Sequence, residues 1–145
     1  MSFEDLPADW ATRPLTDETI FTDVIDLVVT VRDRVAGAAY VLLCGPTDRL
    51  LQPCAISDFD QAAPDRRALI EPFARIVASS VDDGGIVLAV ARDGRAGVTD
   101  SDRLWHEAAI EVCRRHGIRL VAVAVATPRG VWRLPDFPAD EAQPA

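Results

Sequence analysis

One stretch narrows the folds open to this chain more than any other, residues 86–120. Ile86-Val87-Leu88-Ala89-Val90-Ala91 is an unbroken apolar run of the length of a buried strand. The polar loop Arg92-Asp93-Gly94-Arg95-Ala96-Gly97-Val98 follows, punctuated by Gly94 and Gly97. Thr99 is a candidate N-cap, and Asp102 three residues on can reach back to it in a variant of the capping box. Leu104, Trp105, Ala108, Ala109, Val112 and Cys113 then recur at helical spacing and make one apolar face. Arg114, Arg115 and His116 put positive charge on the last turn, and Gly117 suits the left-handed residue that closes a helix. A second apolar, β-branched run begins at Ile118. The unit is strand, loop, helix, strand, and it makes the chain an α/β protein built on a mixed sheet.

The remaining segments fit around that unit as one domain, residues 16–135. Residues 1–15, with Pro7 and Pro14, form an N-terminal arm in which Trp10 pins the arm to the body or serves a partner. A helix opens at Thr16-Asp17 and runs to about Val35, with Ile20, Phe21, Val24, Ile25, Leu27, Val28, Val31 and Val35 inward and Asp23, Asp26 and Arg32 outward. The run Val28-Val29-Thr30-Val31 dissents in favour of strand. Residues 38–44 read as a central strand, Gly45-Pro46-Thr47-Asp48 as a turn, and residues 49–56 as the returning strand of a hairpin. A polar loop covers residues 57–63. A helix follows from Pro64 or Asp65 to Ser80, which Pro72 should kink or split. Asp82-Asp83-Gly84-Gly85 turns into the central strand. Residues 120–126 alternate Val and Ala as in a strand covered on both faces, residues 127–130 turn, residues 131–134 return, and residues 136–145 are a flexible tail.

Charge excludes some partners. A net charge of −8 disfavours nucleic acid or an anionic membrane, since binding phosphate needs concentrated positive charge. All 15 basic residues are Arg, which points to a GC-rich, bacterial coding genome. The acidic first residues lack the apolar segment of a signal peptide and no apolar run has the length of a membrane span, so the expected location is the cytoplasm. Cys44, Cys54 and Cys113 have no metal or redox spacing and read as buried, reduced thiols.

The unit at residues 86–120 resembles the RadC branch of the JAB/MPN metalloprotease-like family. There a buried strand ends in His-x-His, seven loop residues follow, and Ser-x-x-Asp opens a helix. Here Ala89-Val90-Ala91 stands for His-x-His, Arg92 to Val98 are the seven residues, and Thr99-Asp100-Ser101-Asp102 stands for Ser-x-x-Asp. The resemblance extends weakly from about Ala38 to about Leu134. It implies a cytidine-deaminase-like three-layer arrangement, with the degenerate metal-site positions at Ala89, Ala91, Thr99 and Asp102. The general base of active members precedes the hairpin, where this chain has Gly37. The charge argues against the DNA-repair association of RadC relatives.

A zinc hydrolase of this type needs two neutral imidazoles and a carboxylate around an open position, plus a carboxylate to manage the water proton. Alanine at positions 89 and 91 supplies no lone pair. The expectation is therefore no catalytic residue, no metal and no cofactor, in a domain serving as a protein interaction or regulatory module with a protein partner or as a homodimer. Trp10, Trp132 and residues 134–137 suggest an aromatic contact surface. The alternative is a metal-dependent hydrolase with a relocated site around Asp93, Asp102 and His106. More simply, His106 is a solvated helix residue and His116 a helix-terminal one. Ser101 has no nucleophile elbow around it, and Gly94 to Gly97 is no phosphate loop.

Overall fold

The computed structural model describes residues 6–56 and 65–135. The polar loop at 57–63, the helix opening at Pro64 and the tail at 136–145 lie outside the described residues, as do the first five residues of the arm. After a short 3-10 turn at Trp10–Thr12, the elements run α1 (Phe21–Val28), α2 (Val31–Ala36), β1 (Ala38–Cys44), β2 (Leu50–Ile56), α3 (Arg66–Ser80), β3 (Gly85–Ala91), α4 (Asp100–His116), β4 (Arg119–Thr127) and β5 (Gly130–Arg133). The five strands form one mixed sheet in the order β2-β1-β3-β4-β5. β3 lies at its centre, antiparallel to β1 and parallel to β4, with α4 as the crossover. The hairpins β1–β2 and β4–β5 add the antiparallel edges.

Strand alternation sorts the core into two layers. Val87, Ala89 and Ala91 face α1 together with Ala122, Ala124 and Ala126. Ile86, Leu88 and Val90 face α3 and α4 together with Val123 and Val125. The side chains complement across each layer. Small alanines meet Phe21, Ile20 and Ile25 on one face, and bulky residues meet the alanines and Trp105 of α4 on the other. Interiors packed to crystal density require such pairing of large with small. Ala89 and Ala91, both 0% exposed, therefore have a packing role of their own. At the start of β3, a Cβ on Gly85 would come within 2.7 Å of the Arg119 carbonyl, so only glycine lets the two strands meet there.

Four expectations need correction. The helix expected from Thr16 to Val35 is two helices, broken at Val29, whose φ of −89° and ψ of 111° are extended. Thr30 caps α2 by accepting the Asp33 amide at 3.2 Å. Arg34 bridges the break, donating to the Val29 and Asp26 carbonyls, to the Asp26 carboxylate and to the distant Thr127 carbonyl. Leu27 on α1 and Val31 and Val35 on α2, expected inward, are exposed, and Asp23, expected outward, is buried. Pro72 does not split α3, which runs unbroken from Arg66 to Ser80. Both Pro72 and Ala68, the residue whose carbonyl the missing amide leaves unpaired, are exposed, so water can hydrate that carbonyl. On α4 the expected face is buried at Trp105, Ala108, Ala109, Val112 and Cys113, but Leu104 is 46% exposed, and Asp102 and His106, at 0% and 2% exposed, are buried as well. Leu134 is buried and Trp10 and Trp132 are partly buried, so these three offer less contact surface than expected; residues 136 and 137 of that surface lie outside the described residues.

Among the described residues β2 is an edge strand. It contains Pro53, and Leu51 is the extra residue where its register with β1 shifts. No helix among the described residues is long and apolar enough to cross a membrane.

Candidate functional site

β3 delivers the chain into the loop at residues 92–98, and the next helix begins on a capping box. The Thr99 hydroxyl accepts the Asp102 amide at 3.3 Å, and Asp102 Oδ2 accepts the Thr99 amide at 2.8 Å. Two donors that a helix start leaves orphaned are thus paired at the positive end of the dipole. Thr99→Ala is expected to lower stability by about 1 kcal/mol, read as a shift of the urea midpoint at unchanged slope.

Arg92 completes the arrangement. Its guanidinium meets the Asp102 carboxylate side-on, with Nε at 3.1 Å from Oδ1 and Nη2 at 2.8 Å from Oδ2. The remaining donors hold the loop: Nη1 to the carbonyls of Asp93 (3.2 Å) and Arg95 (2.8 Å), and Nη2 to the carbonyl of Gly97 (2.8 Å). The Arg92 and Asp102 side chains are 8% and 0% exposed. The planar fork of arginine suits this combination of a bidentate carboxylate and fanned carbonyls. Sequence reasoning missed Arg92. The signal was an arginine ending an apolar strand with a carboxylate ten residues on, at the third position of a helix.

These residues do not fit a metal. Ala89 and Ala91 offer no ligand atom, and both lie in the layer against α1, whereas Trp105 of α4 lies in the opposite layer. Both Asp102 oxygens already accept hydrogen bonds from Arg92, and a guanidinium carries positive charge where a cation would have to sit. Gly37, where the resemblance would put a general base, ends α2 at a φ of 91° and has no side chain to act.

The relocated set is placed as follows. Asp93 is exposed and accepts the Gly94 amide at 2.8 Å. Asp102 is engaged with Arg92. His106 is buried on α4, not solvated as the sequence suggested. Among the described residues no group of three or more His, Cys, Asp or Glu stands where it could hold a metal ion.

The other titratable groups tie elements together. His116 Nε2 lies 3.1 Å from Glu71 Oε1 and Arg115 donates to Glu71 Oε2 at 3.2 Å, joining the end of α4 to α3. The hydrogen bond from His116 is the main reason the Glu71 carboxyl titrates below its ordinary value of 4.5. A carboxyl depressed on folding adds stability above its unfolded pKa, and that stability is lost as the pH falls through the lower folded value. Glu71→Gln is therefore expected to flatten the fall of the unfolding midpoint below about pH 4.5, while the parent keeps it. Arg119 pairs with Asp48 and Asp83, tying the start of β4 to the two turns that precede β2 and β3. Burial pushes the Cys44 and Cys113 thiols up to about 12, so both stay protonated at neutral pH. Cys54, on edge strand β2, is only partly buried, in contrast to the expectation for all three.

Compared with protein-family models, with curated proteins and with solved structures, the chain matches none of them.

Proposed function

We propose that this chain is a degenerate RadC-like JAB/MPN domain that acts as a protein interaction or regulatory module, alone as a homodimer or with a protein partner. One observation carries the reading: the carboxylate at the position matching the family's metal-binding aspartate, Asp102, is held on both oxygens by Arg92. The guanidinium supplies from within the chain the positive charge that a bound cation would otherwise bring, and it orders the loop through three carbonyls. A site that in an active relative would meet substrate is here closed by internal hydrogen bonds. The α/β sheet with helices on both faces supports the same reading at the level of architecture. The hydrolase alternative around Asp93, Asp102 and His106 would need Asp102 to release a buried arginine, leaving an unpaired buried charge.

Elemental analysis of the purified protein is expected to find no stoichiometric zinc. Light scattering is expected to give a dimer mass or a stable complex with a co-purifying chain. About one zinc per chain, lost in Asp102→Asn, overturns the metal-free reading. A strictly monomeric mass at high concentration with no partner overturns the interaction module.

A further inference from the structure

Between α4 and the first half of β4 the surface opens into a groove of about 320 Å³. It exists because β5 is short. β5 pairs with β4 only from Ala124 to Thr127, and the Leu134 amide adds a last bond to the Val123 carbonyl. Before that point the outer side of β4 has no neighbouring strand among the described residues. Ile110, Ile118, Leu120 and Val123 make the groove apolar, and His106 and Arg114 break that lining.

Arg114 stands out from the basic turn to which it belongs. Arg115 is paired with Glu71 and Glu111, and His116 with Glu71, whereas Arg114 is exposed and takes part in no ion pair among the described residues. An apolar cleft with a few placed polar groups is the usual form of a small-molecule site, and such sites begin at about 300 Å³.

We propose that the groove binds a small apolar carboxylate, a branched-chain or aromatic acid, with the acid at Arg114 and its body against Ile110, Ile118 and Leu120. Charge complementarity selects the acid, because an exposed guanidinium with no ion-pair partner among the described residues, at the edge of apolar walls, suits an anion whose remainder is apolar. The net charge of −8 does not oppose this at short range, since distant carboxylates are screened over about 8 Å at physiological salt. The inference stands apart from the interaction-module reading and survives or fails without it.

The test is titration of the whole chain with 3-phenylpropionate, 4-methylpentanoate and the neutral 3-phenylpropionamide, followed by methyl chemical shifts and calorimetry. Both acids are expected to shift the Ile110, Ile118 and Leu120 methyls, and 3-phenylpropionate to bind at least about tenfold tighter than its amide. Arg114→Gln is expected to abolish that preference while leaving amide binding unchanged, and Arg115→Gln to leave both unchanged. Ile110→Trp, which fills the groove, is expected to abolish binding of both acids with the unfolding midpoint retained. Acid and amide binding equally, an Arg114→Gln variant that behaves as the parent, or shifts outside the groove would each overturn the proposal. So would methyl shifts that respond to dilution of the protein and not to added acid, which would identify a second copy as the occupant.

Discussion

Asp102→Ala is expected to lower folding stability by about 3–5 kcal/mol, because it leaves the Arg92 guanidinium buried without its counter-ion. The Asp102 side chain is 0% exposed and accepts from Arg92 and from the Thr99 amide, so the substitution breaks the ion pair and half the capping box at once. From sequence alone Asp102→Ala is expected to cost somewhat less than Thr99→Ala, and the buried arginine reverses that order. Against a total stability of about 5–15 kcal/mol for a domain, the loss brings the protein close to unfolding at room temperature. Urea titration of Asp102→Ala, Thr99→Ala and the double replacement Arg92→Met with Asp102→Leu checks it. The double replacement should recover part of the loss, since apolar residues of similar volume can substitute for a buried pair. A loss below about 1 kcal/mol for Asp102→Ala would show that water reaches the pair, as at an exposed salt bridge.

Trp105→Ala is expected to cost about 3–5 kcal/mol as well, through a different mechanism. Trp105 is 0% exposed in the layer between α4 and the sheet, and its removal opens a cavity that alanines on either side are too small to fill. The Arg66 guanidinium also sits 5.5 Å from the centre of its ring and would lose that contact. Leu104→Ala, one residue away and 46% exposed, should stay within about 0.5 kcal/mol of the parent. Denaturant curves for the two variants separate them. Equal losses would mean that the buried face of α4 is misassigned.

The contrast between residues 104 and 105 shows where sequence reading ends. Strand positions were legible because their signals are local: apolar runs bounded by turn residues placed β1, β2, β3 and β4 to within a residue or so. The capping box and Gly117, at a φ of 67°, were legible for the same reason. The face of α4 was legible from Trp105 to Cys113, but the edge of that face was not: Leu104 is exposed while Asp102 and His106 are buried, which only tertiary partners make possible. The break between α1 and α2 was half visible in its β-branched run. What fixes it is Arg34 reaching the Thr127 carbonyl, 93 residues away in sequence. Of the candidate site, the cap pair was read and the arginine that fills it was missed, its only signal being an arginine at a strand end ten residues before a helix-start carboxylate. A buried ion pair between a strand end and a helix start has no periodicity to announce it.

The proline and the extra residue in β2 bear on how molecules of this protein avoid one another. A free strand edge is a template for pairing with any passing chain, and natural sheets blunt it with prolines and bulges. Pro53 has no amide hydrogen to offer a newcomer, and the register shift at Leu51 spoils the straight ladder a second strand would need. The β2 side is therefore guarded against fibril-like growth, and no assembly of this protein should continue the sheet in that direction.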